Sequence, residues 1–360
     1  MVGQVALIIP VLNPEPILVE YIQNCVRHGF THIVVVDDGS ETAYRDIFTR
    51  LSAYDEVTVL SHRQNQGKGR ALKTAFSFCM ERAKQWRLIG VITVDSDGQH
   101  GIEDVCHMAK EMDGNSLLLG CRDLMGENVP PKSRFGNQLT CRVFRLLYGK
   151  WISDTQTGLR GVPLKHLELF LKVNGERYEY ETEMLITAVK NDIAIKELPI
   201  ETIYIENNAG THFRPVLDSV KIYAVMFETF LLYTLFSLSS SALDLFSFFL
   251  LNRFLFARIA QTERIFLATV FARILSSVYN FVMNRSIVFD VNGKIGSHVV
   301  KYYALVLVQM LASAGIVALF ANVILFTETI VKIFVDICLF FISFQIQKRW
   351  IFKRDEKTIL

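Results

Sequence analysis

Four stretches of this chain are long and apolar enough to cross a bilayer, and they limit its fold more than any other feature. A bilayer core takes roughly 20 predominantly apolar residues per helix. Thr229 to Leu251, Ile265 to Phe289, Val299 to Ala321 and Leu325 to Ile346 each come close to that length. Too little polar sequence lies between them to cover such helices in a soluble fold. The expectation is therefore an all-α transmembrane domain over residues 229-353, with residues 354-360 as a cytoplasmic tail. The chain has 360 residues, 51% of them hydrophobic, which excludes a disordered or fibrous protein. Its net charge of +2 conceals a split, because Met1 to Val220 holds 24 Lys and Arg against 28 Asp and Glu, whereas Lys221 to Leu360 holds 14 against 8. An acidic part precedes a basic, membrane-spanning one.

Basic residues orient the spans. With the first part in the cytoplasm, the inner flanks hold Arg214, Lys221, Arg285, Lys294, Lys301, Lys348, Arg349, Lys353, Arg354 and Lys357, and the outer loops only Arg253, Arg258 and Arg264. This predicts a multi-pass protein of the cell membrane with both termini cytoplasmic. Val5 to Val11 is a short apolar run with no preceding Lys or Arg, so it reads as a strand and not as a signal peptide. The six cysteines form no CxxC or metal-ligand spacing, in keeping with a reducing compartment.

Residues 1-212 read as alternating strands and helices. Apolar, β-branched runs at Val5 to Ile9, Ile33 to Val36, Val57 to Leu60, Ile89 to Val94 and Leu117 to Leu119 are separated by amphipathic segments such as Leu18 to Arg27 and Ala71 to Ala83. That pattern gives an α/β domain with a mostly parallel, Rossmann-like sheet covered on both faces. Such folds gather ligands beyond the carboxyl ends of their strands.

Polar clusters stand at four of those ends: Pro10-Val11-Leu12-Asn13-Pro14, Asp37-Asp38-Gly39-Ser40, Asn65-Gln66-Gly67-Lys68-Gly69 and Asp95-Ser96-Asp97-Gly98-Gln99-His100. Adjacent carboxylates at the tip of an apolar strand repel one another and need a cation or a hydrogen-bonding ligand. Asp95 and Asp97 converge only if the backbone turns, which Gly98 permits. The oxygens of Asp95, Asp97 and Gln99 suit Mg²⁺ or Mn²⁺, commonly shared with substrate phosphates. Singly, Asp37-Asp38-Gly39-Ser40 is equally a turn that caps the next helix, and Gly67-Lys68-Gly69 lacks the full phosphate-loop spacing. Together, in this order, they mark a ligand site.

The succession IIPVLNP, VVDDGS, NQGKGRALK and VDSDGQH resembles the inverting family 2 glycosyltransferases with the GT-A fold, and more closely the polyprenyl-phosphate sugar transferases related to dolichol-phosphate mannose synthase. The resemblance continues through Gly120-Cys121-Arg122, Ser133-Arg134-Phe135-Gly136-Asn137 and Asp154-Thr155-Gln156-Thr157-Gly158-Leu159-Arg160, and covers about the first 215 residues. It implies a nucleotide pocket lined by Pro10, Leu12 and Asp38, with Asp38 accepting from the base and Lys68, Asp95 and Ser96 nearby. Where dolichol-type enzymes often have an acidic residue two places after the Leu12 position, this chain has Pro14. Asp154 would lie near the reacting centre or cap a turn. Glu179, Glu181 and Glu183 would touch sugar hydroxyls or form a solvated helix start.

An inverting transfer needs an acceptor oxygen in line with the anomeric carbon and stabilisation of the departing nucleoside diphosphate. A metal at Asp95, Asp97 and Gln99 would neutralise that leaving group. A lipid monophosphate is already anionic, so it needs positioning more than deprotonation. Arg122, Arg134 and Arg160 are candidates to hold the acceptor phosphate, because guanidinium forks match phosphate oxygens; each is alternatively a surface arginine. The expected catalytic set is Asp97, Asp154, Arg122 and Arg134. In the joint, residues 213-228, an amphipathic stretch runs into the first membrane helix, and Arg214 could close over the diphosphate or belong to a plain linker.

In the membrane part, Ser241-Ala242-Leu243-Asp244, Ala272-Arg273-Ile274-Leu275-Ser276 with Asn280, and Asn284-Arg285-Ser286-Ile287-Val288-Phe289 resemble the GtrA family, four-helix proteins associated with moving lipid-linked sugars. A weak internal repeat, Phe281 to Phe289 against Phe344 to Phe352, suggests two hairpins. Asp244 and Arg273, costly near a bilayer centre, should face the bundle interior, either in a transport path or as a structural ion pair.

The expected activity is transfer of a hexose or N-acetylhexosamine from a UDP- or GDP-sugar to polyprenyl phosphate, undecaprenyl phosphate if the source is bacterial, for cell-envelope glycan modification. The membrane domain would move the product lipid or anchor the enzyme, with a homo-oligomer as one arrangement; no nucleic-acid partner is expected. A processive polysaccharide synthase is the rival enzyme, but its QxxRW motif has only Gln345 to Trp350 as a counterpart, at the wrong spacing.

Overall fold

The computed structural model describes residues 2–123, 131–201, 215–291, 294–321 and 328–352. The chain divides into two compact units, Met1–Met226 and Phe227–Leu360. In the first, strands β1 (Val5–Val11), β2 (Ile33–Asp37), β3 (Val57–Ser61), β4 (Gly90–Thr93), β5 (Leu117–Arg122), β6 (Arg160–Pro163) and β7 (Ile195–Ile200) form one sheet. Its order is β3-β2-β1-β4-β6-β5-β7. All pairings are parallel except those of β6, which runs antiparallel to both β4 and β5. Helices α1 (Ile17–Arg27), α2 (Arg45–Leu51), α3 (Lys68–Trp86), α4 (Ile102–Glu111), α5 (Pro131–Tyr148), α6 (Leu164–Leu171) and α7 (Glu179–Lys190) complete this part.

Continuous apolar runs make β1 and β2 buried on both faces, as central parallel strands require. The odd-numbered residues Val5, Leu7, Ile9 and Val11 join Leu18, Ile22, Val105 and Met108 of α1 and α4 in one core cluster. Helix α3 packs against β1 and β2 separately from that cluster. Pro10 sits in a central strand, where a missing N–H normally costs a ladder bond. Here it costs none. Leu7 N donates to His32 O beside β2, while Ile8 O accepts from Val94 N on the β4 side. By alternation Pro10 also faces the β4 side, where the last register pair is Ile8 with Thr93. The strands part at that point, and their parting opens the crevice at the switch in strand order.

The second unit contains most of helix α8 (Pro215–Leu250), then α9 (Gln261–Met283), α10 (Ile295–Ala321) and α11 (Glu328–Ile346). The described helices of membrane-spanning length and hydropathy run over Leu217–Leu255, Gln261–Val288, Ile295–Phe320 and Ile330–Ile351. The amphipathic stretch and the first span are one helix from Pro215, because a proline is tolerated at a first helical position and no breaker follows. Leu245, Phe246, Phe254 and Phe334 are each at least 60% exposed, which suits hydrocarbon and not water. The two repeat copies end alike, in π-helical turns Asn284–Val288 and Gln347–Ile351. Asn284 Nδ2 donates to Gln347 Oε1 at 3.1 Å, and the rings of Phe289 and Phe352 stack at 5.3 Å.

Candidate active site

The first two strand ends are stitched together. Asp37 Oδ1 accepts from Ser40 N at 2.8 Å, Ser40 Oγ accepts from Asn13 N at 2.9 Å, and Asn13 Oδ1 accepts from Glu41 N at 2.9 Å. Asp38 turns inward. Its carboxylate accepts from Gln66 N at 2.9 Å and Gly67 N at 2.7 Å and lies 2.7 Å from His62 Nδ1, whose Nε2 meets Thr74 Oγ1 at 2.9 Å. This corrects the expectation that Asp38 accepts from a nucleobase: at 4% exposure, its oxygens are committed to the loop that delivers Lys68. Asp37, half-buried, is the more accessible carboxylate of that turn. Gly67 has φ 103° and no room for a side chain, since a Cβ would fall 2.4 Å from Glu176 O.

Lys68 opens α3 and projects into an acidic nest, with Nζ 2.6 Å from Asp95 Oδ1 and 3.0 Å from Glu181 Oε1. His100 Nε2 lies 3.5 Å from the other Asp95 oxygen. Burial alone would raise the Asp95 pKa, but Lys68 and His100 outweigh it and hold the carboxyl well below its usual range. Burial would likewise lower Lys68, and Asp95 with Glu181 raises it instead. Asp97 goes the other way: burial and then the charge of Asp95 push it up. Its Oδ1 accepts from Gln99 N at 3.0 Å, and Ser96 and Gln99 are half-buried beside it. Gly158 closes this corner, because a Cβ there would stand 2.2 Å from Asp95 Oδ2.

Among the described residues no three or more His, Cys, Asp and Glu side chains converge as a ready-made metal cage. Asp95 and Asp97 instead form a two-carboxylate set whose mutual repulsion a cation would relieve. Such a set fits a hard divalent ion that takes its remaining oxygens from ligand phosphates and water.

At the end of β5, Arg122 is clamped. Its Nε and Nη2 donate to Asp154 Oδ2 and Oδ1 at 2.7 and 3.1 Å. Asn137 Nδ2 and Gln156 N add bonds to Oδ1 at 2.7 and 3.1 Å. Asp154 is fully buried, and although burial would raise its pKa, Arg122 and Asn137 hold it low. It is therefore a positioning residue for Arg122 and has no surface to meet a reactant, which corrects its expected place in the catalytic set. Arg134 is half-buried on α5, one turn before Asn137. Arg160 corrects a second expectation. It is 1% exposed, and it donates to the carbonyls of Thr157, Glu181 and Thr155 at 2.9, 2.5 and 3.4 Å, so it braces the site from behind and cannot hold an acceptor phosphate.

Pro10 and Leu12 lie at the β1 end beside this cluster, whereas Arg214 lies outside the described residues. Asp244 and Arg273 are in the second unit, 3.4 Å apart. Reading the sequence missed His62, and it quoted Asn137 and Gly158 within motifs without giving either a role. Of the three alternating glutamates Glu181 enters the site, through Lys68. Glu179 Oε1 accepts from the N–H groups of Glu176 and Arg177 at the start of α7, as residues two apart on a helix face different ways.

A mostly parallel sheet with a carboxylate pair, a lysine and a clamped arginine at its strand ends, continued into four membrane-length helices, defines a membrane glycosyltransferase of GT-A fold. Residues 6–158 match the model of "Glycosyl transferase family 2", and residues 226–352 that of "GtrA/DPMS, transmembrane domain". The chain belongs to the family 2 glycosyltransferases and carries a GtrA/DPMS transmembrane domain. An uncharacterised protein of Methanocaldococcus jannaschii is 31% identical over 209 residues, 56% of this chain and 83% of that one. The UDP-N-acetylglucosamine–dolichyl-phosphate N-acetylglucosaminyltransferase of Methanococcus voltae is 30% identical over 219 residues, 56% of this chain and 86% of that one. Among solved structures, glucosyl-3-phosphoglycerate synthase of Mycobacterium tuberculosis, in complex with Mn²⁺, UDP-glucose and phosphoglyceric acid, is similar at a TM-score of 0.45 and 17% identity, covering 62% of this chain and 79% of that one.

Proposed function

We propose that this chain transfers a hexose or N-acetylhexosamine, with inversion, from a UDP- or GDP-sugar to a polyprenyl phosphate at the cytoplasmic face of the membrane. The observation that carries the reading is the Asp154-clamped Arg122 in the same unit as the Asp95, Asp97 and Lys68 cluster, on a chain that also spans the bilayer. The lipid-phosphate acceptor follows the Methanococcus voltae relative and the DPMS-type membrane domain. Helix α5 adds support. Its exposed face carries Phe135, Leu139 and Leu146, and Arg145 in its last turn lies over the ring of Trp151, just beyond the helix, at 5.8 Å, the aromatic and basic pairing of an interfacial surface.

In this reading Asp95 and Asp97 hold Mg²⁺ or Mn²⁺, which when bound supplies positive charge to the leaving diphosphate. Lys68, paired to Asp95, brings a second cation to the same oxygens. Arg122, fixed at a set angle, holds the acceptor phosphate with one oxygen towards the anomeric carbon, so that orientation replaces a general base. The buried base of the site, Arg160 and Glu181, keeps Lys68 in register.

Incubating the purified protein with radiolabelled nucleotide sugars, polyprenyl phosphate and Mg²⁺ tests this. Label extractable into organic solvent, lost in Asp97→Ala, is expected. Aqueous polymer instead would establish the processive-synthase reading, and full activity in Asp97→Ala would remove the assigned site.

A further inference from the structure

Arg122 takes its angle from Asp154, and Asp154 takes one of its bonds from Asn137 on α5. Next to Asn137 stands a cysteine that the catalytic reading leaves without a role. Cys141 follows one turn along the same face of α5. Its sulfur is 3.0 Å from Asn137 Oδ1, 3.4 Å from Ser153 O and 3.9 Å from Thr155 Oγ1. Asn137, Cys141, Asp154 and Thr155 are each at most 2% exposed, so bulk water does not compete for these contacts.

The last member of this line fixes its polarity. An ionised carboxylate can only accept. The Asn137 atom 2.7 Å from Asp154 Oδ1 is therefore the amide nitrogen, and the amide oxygen faces Cys141. A buried amide oxygen needs a donor, and a thiol is one. Burial pushes the Cys141 thiol up, which keeps its proton in place near neutral pH. Ser153 O, the other acceptor within reach of that single proton, is the more distant. With the thiol proton given to Asn137, the Thr155 hydroxyl is left to donate to the sulfur. Each group thus donates to the next, Thr155 to Cys141, Cys141 to Asn137 and Asn137 to the carboxylate that clamps Arg122.

The two ends of an amide are nearly equal in size, so packing alone does not decide which way Asn137 lies. Turned over, it would set its oxygen against Asp154, and two acceptors would meet where a bond now stands. A donor at position 141 excludes that orientation. A side chain of similar size without one does not.

We propose that Cys141 is a positioning residue for the acceptor phosphate: its thiol holds the Asn137 amide in the one orientation that keeps Asp154, and through it Arg122, in place. This rests on the reading that Arg122 holds the acceptor phosphate.

The test is steady-state transfer by the full-length protein in nanodiscs, varying in turn polyprenyl phosphate and the nucleotide sugar that labels lipid in the wild type. Cys141→Ala is expected to lower kcat/KM for polyprenyl phosphate about tenfold, the scale of one buried acceptor left without its donor, with KM for the nucleotide sugar within about twofold of wild type. Cys141→Ser, which restores a donor, should recover most of that loss. Asn137→Ala should lower the same constant at least as far, and adding Cys141→Ala to it should cost little more, because a residue that acts through Asn137 then has nothing to act on. A packing role would give additive losses and no recovery by serine. Either of those results, or wild-type acceptor kinetics in Cys141→Ala with an unchanged thermal midpoint, overturns the proposal. If Cys141→Ala does not fold, the infrared S–H stretching band that disappears in Cys141→Ser decides: a band shifted to low frequency marks a hydrogen-bonded donor and supports the proposal, and the frequency of a free thiol overturns it. Arg122→Lys tests the underlying reading by itself. Unchanged acceptor kinetics there would remove Arg122 from the acceptor site, while the S–H band would still report whether the thiol holds Asn137, so the two fail separately.

Discussion

Two aspartate–arginine pairs, Asp154 with Arg122 in the first unit and Asp244 with Arg273 in the second, are built in opposite ways. Asp154 is buried, and side-chain and backbone donors from Arg122, Asn137 and Gln156 converge on it. Asp244 takes one serine bond and a single 3.4 Å approach from Arg273. A saturated carboxylate fixes its arginine at one angle. A carboxylate that meets its arginine at one long contact sets no such angle. The first arrangement suits a reaction that tolerates little misplacement; the second has the sparse polar contact common between membrane helices.

The largest effect should come from unmaking the rigid pair. Asp154→Ala is expected to lower transfer by about 100-fold through misplacement of Arg122 and to cost about 3 kcal/mol of stability, discounted for the partial exposure of Arg122; lipid-extraction assays and denaturant titration read the two. Gly158→Ala comes next. Its new Cβ would stand 2.2 Å from Asp95, so the carboxylate must move, and a fall in kcat of about tenfold is expected with the thermal midpoint little changed.

A smaller change sharpens the electrostatics of the rigid unit. Because Asp95 is held below its usual pKa, its ion pair contributes stability above about pH 4 and loses it as pH falls through the depressed value. Asp97 is raised, so it becomes fully charged only above the ordinary carboxylate range, and it should set the acid limb of donor binding. Lys68→Met withdraws the cation that lowers both, and that limb should move up by about one pH unit in a KM profile. The smallest effect belongs to the loose pair. Asp244→Asn is expected to change stability in detergent by only about 0.6 kcal/mol, the usual scale of interhelical polar contacts. A loss comparable to that of Asp154→Ala would erase the contrast between the pairs.

The sheet centre and the spans were legible because their signals are local. Runs such as Val5 to Ile9 and Ile33 to Val36 combine β-branching with full burial, and hydropathy identifies each membrane helix without any partner. Strand β6 was not legible, because Arg160-Gly161-Val162-Pro163 has no strand pattern and is a strand only through its antiparallel pairing with β4 and β5. The same pairing explains the misreading of Arg160: its burial depends on Glu181 and Thr155 arriving from elsewhere in the chain. Asp38 was misjudged for a related reason. A carboxylate at a strand tip signals need for a partner, but sequence does not say whether a ligand or the chain itself, here Gln66 and Gly67, supplies it.

The repeat that ends in paired π-helical turns has a consequence for direction. The 63-residue spacing that relates Asn284 to Gln347 also relates Arg273 to Asp336. Two hairpins that share a backbone design thus carry opposite charge at corresponding sites. A perfectly duplicated bundle would look the same from both hairpins; here each hairpin pairs an acid with a base, Asp244 with Arg273 and Lys332 with Asp336, but in the reverse order along the chain, so the order of charges tells the two halves apart.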